Sequence, residues 1–141
     1  MDGSDIVENC GGADWTEVAG LLKASGMAYH APEAHRKAFR NSAAVAFAYL
    51  DGRLAGFGRA ISDGAYQAAI YDVAVAPEHR GKGLGAKIMK SLLSRLRGCS
   101  VILYASPGKE GFYSKLGFRR LRTGMALFGD PVGMAARGFT E

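Results

Sequence analysis

No stretch of this sequence reaches the roughly 18 consecutive apolar residues that a membrane-spanning helix needs, so no membrane partner is expected. Cysteine is scarce. Cys10 and Cys99 stand far apart and match no metal-ligand spacing, and His30, His35 and His79 add none. No metal site is therefore expected. Two isolated thiols leave a single disulfide open, but reduced cysteines in a cytosolic-type protein fit better, and a cytoplasmic location is expected. The N-terminal stretch from Met1 to Cys10 carries acids and lacks the apolar core of a secretory signal. Also missing is any block of five or more cations, despite a net charge of +5. Aromatic and basic residues do not interleave as they do in chains that stack bases, so nucleic acid is not expected as a partner. An anionic ligand at a local site suits this charge pattern better than a long polyanion. Internal repeats and dividing linkers are absent too. The 141 residues, 48% hydrophobic, read as a single domain over 1–141 with a Gly-rich flexible tail over 129–141.

What is present begins with helix signals. Asp14-Trp15-Thr16-Glu17 has the spacing of a capping box. Trp15, Val18, Leu21 and Leu22 then recur at helical intervals up to a stop at Gly26. Pro32 opens a second helix that ends near Arg40. The intervening loop, Ser25 to Ala31, carries Tyr29 and His30. The texture then changes. Val45–Leu50 and Leu54–Ile61 flank the hairpin dipeptide Asp51-Gly52, and Ala68–Val75 follows the turn Ser62-Asp63-Gly64. These runs predict an antiparallel meander. Leu84, Ile88, Met89, Leu92, Leu93 and Leu96 line one face of an amphipathic helix. Val101–Tyr104 reads as a strand buried on both faces, joined to Ala68–Val75 by a right-handed βαβ crossover. A short helix over about 109–116 and two strands near Phe118–Arg122 and Met125–Phe128 complete the pattern. The fold class is α+β: a mixed, mostly antiparallel sheet of about six to seven strands, flanked by helices.

The most unusual stretch is Val75-Ala76-Pro77-Glu78-His79-Arg80-Gly81-Lys82-Gly83-Leu84-Gly85-Ala86-Lys87. A helix start exposes unpaired N–H groups and the positive end of its dipole. Glycines before it let a ligand approach the main chain, while Arg80, Lys82 and Lys87 add charge. Such a place binds phosphate or pyrophosphate. It is neither the nucleotide P-loop nor the dinucleotide fingerprint, because the spacing and the preceding meander fit neither.

Val75-x-Pro77-x-x-Arg80-Gly81-x-Gly83-Leu84-Gly85 resembles the acetyl-coenzyme A motif of the GCN5-related N-acetyltransferases (GNAT). Gly111-Phe112-Tyr113-Ser114-Lys115-Leu116-Gly117-Phe118 is similar to that family's second motif, and the element order agrees over roughly 5–128. The resemblance implies a sheet splayed at its parallel pair. Pantetheine would lie in the gap against the main chain of Val73, Ala74 and Val75, and the pyrophosphate on Arg80, Gly81, Lys82, Gly83, Leu84, Gly85 and Ala86. It implies Tyr113 as the acid that protonates the leaving thiolate, and Phe112 beside the cofactor. Ser106 stands close to where the family often carries an asparagine. The small group around plant plastid serotonin (arylalkylamine) N-acetyltransferases is similar in Gly56–Gly64, Ile70–Val73 and Pro107–Tyr113.

An amine of ordinary pKa about 10.4 is free base only about once in 2,500 at pH 7, a barrier of roughly 4.6 kcal/mol, so a base would help. Asp72, a carboxylate flanked by apolar residues, is a candidate for that role or for bonding to main chain. Gln67 holds a position where some of the family carry a glutamate. Tyr29 and His30 could line the acceptor site, and Asp63 could steer a cationic amine or simply form its turn. The expected activity is acetyl transfer from acetyl-coenzyme A to a primary amine of a small molecule such as an arylalkylamine, by direct attack in a ternary complex. Peptide acceptors (a protein lysine or N-terminus), a non-catalytic coenzyme A sensor and a basic nucleic-acid binder are the alternatives. The exposed strand edge on which this fold often pairs leaves a homodimer open.

Overall fold

The computed structural model describes residues 4–141. Two compact units divide it, the first ending at Leu103 and the second running Tyr104–Glu141. In the first unit the elements are β1 (Ser4–Val7), α1 (Trp15–Ala24), α2 (Pro32–Arg40), β2 (Ala44–Leu50), β3 (Arg53–Ser62), β4 (Gln67–Val75), a 3-10 turn at Pro77–His79, α3 (Leu84–Ser94) and β5 (Ser100–Ile102). They form one five-stranded sheet in the order β1-β2-β3-β4-β5, with only the β4–β5 pair parallel.

Local chemistry accounts for most of these boundaries. The Asp14 side chain accepts from the N–H groups of Thr16 and Glu17, which starts α1. At its end Met27 N–H returns to Leu22 O and Gly26 N–H to Lys23 O, with Gly26 at φ 73°. That is a Schellman stop, and it needs the left-handed residue that glycine supplies without strain. Asp51 and Gly52 both take positive φ (51° and 75°), the pairing a tight hairpin turn requires. β2 is buried along Ala44–Ala48. Phe47 packs there with Phe39 of α2 and Phe57 of β3, ring centroids 5.5–6.3 Å apart. Such aromatic pairs add stabilisation beyond the area they bury. α3 presents Leu84, Ile88, Met89 and Leu92, all buried, as its apolar spacing demands.

The close seat of α3 on the sheet depends on two glycines in β3. A methyl group at Gly56 would fall 2.7 Å from Ala74 O and 3.0 Å from Ile88 Cδ1. One at Gly58 would meet Ile88, Leu92 and Val73, each at 3.1 Å.

The structure differs from expectation in four places. β1, unforeseen, adds an edge strand to β2. Its four residues are too short and too mixed to signal a strand. β5 is shorter than expected, and Ile102 is 51% exposed rather than buried on both faces. The strands expected over 118–122 and 125–128 do not form, so the described sheet has five strands and not six to seven. No ladder partner meets those residues, and Met125 and Leu127 stand fully exposed. Finally, the stretch read as a flexible tail contains a helix.

The second unit is built from α4 (Glu110–Lys115) and that helix, α5 (Pro131–Ala136). Tyr104 packs edge-on against Phe128 and Phe139, 5.4 and 5.9 Å between centroids. α4 closes with the same stop as α1: Phe118 N–H returns to Tyr113 O around Gly117. α5 starts at Asp130, whose side chain accepts from Gly133 N–H.

Gly56→Ala should lower the melting temperature by several degrees, in line with about 1–3 kcal/mol for overpacking against main chain. Gly20→Ala, on the exposed face of α1 with open space around it, should raise stability by about 0.5–1 kcal/mol. Urea unfolding of both variants checks the pair. A neutral Gly56→Ala would mean α3 has room to move off the sheet.

Candidate functional site

The glycine-rich stretch lies where the sequence places it, ahead of α3. Gly81 and Gly83 take φ of 79° and 80°, and a methyl group at either would meet nothing within 4 Å, so the main chain faces open space. Gly83 is the N-cap of α3 and has no side chain to cap the helix. The first intrahelical bond is Lys87 N–H to Gly83 O. The N–H groups of Leu84, Gly85 and Ala86 therefore start the helix without intrahelical acceptors. No acidic residue occupies the first turn. An anion here meets the positive dipole end unopposed. The Leu84 side chain is turned into the core, so Leu84 can serve a ligand through its main chain alone. Arg80 and Lys82 are exposed, with Lys82 Nζ 3.0 Å from His79 Nδ1. Lys87 instead bonds to Ser4 Oγ on β1.

Beside this loop, β4 loses its parallel neighbour. Gln67, Ala68 and Ala69 pair with Ser100, Val101 and Ile102, and no ladder continues from Ile70 to Val75 among the described residues. Main chain along Val73–Val75 is thereby freed on one edge. Val75 O accepts a long bond, 3.4 Å, from Ser25 Oγ at the end of α1.

The register between β3 and β4 slips at the same place. Phe57 faces Ala74 while Arg59 faces Tyr71, which leaves Gly58 opposite both Asp72 and Val73. This is a β-bulge, and Asp72 occupies it with φ 57°. A non-glycine residue in the left-handed region needs a compensating contact. Here it is Arg59, whose Nε donates to Asp72 Oδ2 at 2.7 Å, with the two side chains only 16% and 25% exposed. The guanidinium also lies between the rings of Phe39 (5.8 Å) and Tyr71 (5.4 Å) and reaches Ser42 Oγ at 3.4 Å. The bulge breaks the simple alternation of facing expected along Tyr71-Asp72-Val73. Arg59 was not foreseen as a site residue. Its only sequence signal is its place two residues after Phe57, between Gly58 and an otherwise apolar run.

In the second unit, Tyr113 and Phe112 share α4, their rings 4.9 Å apart and nearly perpendicular, with Phe118 on the far side of Tyr113 at 6.0 Å. Burial pushes the Tyr113 phenol above its ordinary 10, so at neutral pH it is a proton donor. Ser106, half-buried, opens the turn before α4 and accepts Lys109 N–H through its main chain.

The expected acceptor residues do not come together. Tyr29 and His30 are exposed on the α1–α2 loop, with Lys23 Nζ 5.6 Å above the Tyr29 ring. Asp63 lies at the opposite end of β4 from the Ser25–Val75 contact, eight residue steps or about 26 Å away at ~3.3 Å each. Its Oδ1 accepts from Ala65, Tyr66 and Gln67 N–H groups, which lowers its pKa and occupies it as a turn former. The Gln67 main chain belongs to the same turn, its O accepting from Ser62 Oγ and Asp63 N–H. His35, on α2, is buried. Cys10 and Cys99 are free thiols, and no cluster of metal-ligating side chains occurs among the described residues.

Comparison with known proteins finds one family. The acetyltransferase (GNAT) domain family matches residues 17–125. The uncharacterized N-acetyltransferase ycf52 of Porphyra purpurea is 44% identical over 69 residues, 47% of this chain and 40% of that protein. The chloroplastic serotonin N-acetyltransferase 2 of rice, Oryza sativa subsp. japonica, is 44% identical over 70 residues, 48% of this chain and 35% of that protein. The chain thus spans less than half the length of these curated relatives. A crystal structure from meticillin-resistant Staphylococcus aureus, described as a probable acetyltransferase of unknown function, superposes with a TM-score of 0.79 at 25% identity. It covers 89% of this chain and 98% of its own.

If the ion pair holds the bulge, Asp72→Asn should cost about 1–3 kcal/mol, the range for a hydrogen bond to a charged group. Asp72→Ala should cost about 1 kcal/mol more, because alanine resists the left-handed region that asparagine tolerates. Denaturant unfolding of the two variants reads the difference, and equal losses would count against a strained residue at this position.

Proposed function

Because the chain belongs to the acetyltransferase (GNAT) family, we propose that it transfers an acetyl group from acetyl-coenzyme A to a primary amine by direct attack within a ternary complex. The observation that carries this reading is the bare helix start: glycines at 81 and 83 opening onto the first amides of α3, beside a strand edge without a neighbour. The amides of Gly81 to Ala86, with Arg80 and Lys82, suit the pyrophosphate of the co-substrate. The edge of Val73, Ala74 and Val75 suits the amide-bearing pantetheine arm, which resembles a peptide in its hydrogen bonding. Ser106 and Phe112 belong to the same proposed cofactor contacts.

Tyr113 is the proposed general acid. Its phenol, kept protonated by burial, supplies the proton that the departing thiolate takes. The amine must reach the reaction as free base, and its proton then leaves to water or to a carboxylate. Asp72 was the sequence candidate for that carboxylate. Its contact with Arg59 supports a different part, holding the bulge that shapes the edge of β4. The acceptor is proposed to be a small amine, and an aromatic one on the strength of likeness to the rice enzyme alone, whose name specifies serotonin. Tyr29 and His30 are its proposed neighbours. Asp63, occupied by its turn, supports no such part. A cytoplasmic location belongs to the same proposal, and free Cys10 and Cys99 are compatible with a reducing compartment.

Thiol release from acetyl-coenzyme A should be detected with at least one amine in a panel of arylalkylamines, polyamines, amino acids and peptides. Activity confined to peptides would move the acceptor to protein amines. Binding without turnover on any of them would leave a coenzyme A sensor. Absence of heat on injecting coenzyme A would sink the reading altogether. Tyr113→Phe should lower kcat about 10²-fold or more while changing the dissociation constant of coenzyme A less than about twofold. Since the phenol titrates above 10, the wild-type rate should show no decline from this group up to pH 9.

A further inference from the structure

The α1–α2 loop contains a device that the reaction as proposed does not use. His35, on α2, is 3% exposed, a buried polar side chain within the aromatic core. Its Nε2 accepts the backbone N–H of His30 at 2.9 Å, and the two imidazole rings lie 5.5 Å apart. The loop is tied at one end by Met27 N–H to Leu22 O and at the other by Ala34 N–H to Ala31 O. Between these ties, the hydrogen bond recorded among the described residues is the one His30 gives to His35. Apart from Lys23 over the Tyr29 ring, this bond to an imidazole lone pair is what ties the Tyr29–His30 stretch down.

That lone pair exists only in neutral histidine, where the proton sits on Nδ1. Since Nε2 is already engaged, His35 is not available as a base for an amine. In the imidazolium both ring nitrogens are donors, so a second N–H would confront that of His30 and the tie would break. Three titratable or charged groups face His35: His30 from the loop, Arg59 from β3 and Asp72 from β4. Burial is the largest influence and lowers the pKa from its ordinary 6.5. Asp72 opposes this, and His30 and Arg59 reinforce it.

We propose that His35 is a positioning residue for the amine acceptor, holding the α1–α2 loop through His30, and that protonating its imidazole releases the loop. This rests on the reading that the loop borders the acceptor. The sign of the linkage follows from the lowered pKa. Unfolded chain binds the proton more readily than folded protein, so the contribution to stability is complete above 6.5 and is lost as pH falls below 6.5 through the folded value.

Hydrogen–deuterium exchange of the full chain, corrected for intrinsic rates, tests the latch without any acceptor. The amide of His30 should be protected at pH 7.5 and lose at least tenfold of that protection by pH 5, while the amides of Ile88 and Leu92 in α3 keep theirs. His35→Gln, whose side-chain oxygen can accept the same N–H, should stay protected across that range. His35→Leu should be unprotected throughout. If His30 exchange in the wild type is insensitive to pH, or if His35→Leu retains protection, the latch is overturned. A second arm uses the best amine from the thiol-release panel. The ratio of wild-type to His35→Gln KM should rise at least fivefold from pH 7.5 to pH 5.5, with the dissociation constant of coenzyme A equal in both proteins. A constant ratio, with the exchange result intact, would overturn the link to the acceptor. Failure of every amine to turn over strikes the acetyltransfer reading, and with it the acceptor role, while the exchange experiment still decides the latch.

Discussion

A carboxylate held in a left-handed backbone, in the middle of a strand, is the constraint on which the site depends. Asp72 takes φ 57° because one extra residue of β4 is fitted opposite Gly58. The conformation persists because Arg59 grips the carboxylate while its guanidinium is itself enclosed by Phe39 and Tyr71. A bulge increases local twist and bends the strand that carries it. It falls just beyond Ala69, where β4 stops pairing with β5. The edge of β4 over Val73–Val75 therefore has no ladder partner on the β5 side among the described residues, and Val75 O takes a long bond from Ser25 Oγ instead.

The second requirement is that the start of α3 lie next to that edge. Close packing brings this about. Gly56 and Gly58 have no side chains, so Ile88 and Leu92 descend onto β3 at a distance no larger residue would permit. The same helix that seals one side of the core then exposes its unpaired amides beside the end of β4. Apolar burial and the bare helix start are thus properties of opposite parts of one element, and a change that lifts α3 from the sheet would disturb both.

Polar groups in the core form a third layer of organisation. His35, Arg59, Asp72 and Ser42 come from α2, β3, β4 and the α2–β2 connection; Arg59 bonds to Asp72 and Ser42 and lies over the Phe39 ring, and its charge and that of Asp72 act on His35. Buried polar networks have consequences when one member changes charge, because the surrounding low dielectric strengthens every interaction. The Arg59–Asp72 pair at the bulge and the His35–His30 tie on the α1–α2 loop are separate bonds, and the charges of the pair act on His35.

Much of this was legible in the sequence. Asp14, Gly26, Pro32, Asp51-Gly52 and Gly117 act through local backbone chemistry, and each appears where its spacing predicts. The apolar stripe of α3 and the glycines before it are equally local, so the bare helix start could be read from residues 75–87 alone. Sequence separation hid the remainder. Arg59 and Asp72 are 13 residues apart, and neither announces that one will be strained and the other will hold it. Asp63 looked available for an amine until its turn folded around it. Residues 118–128 read as strands but met no partner, and Ser4–Val7 lacked a signal yet found one in β2. Caps, turns and amphipathic faces follow from neighbours in the chain, and the sequence by itself determined them. Pairing partners, the bulge and the burial of His35 depend on which distant residues meet in space, and only the tertiary structure decided those.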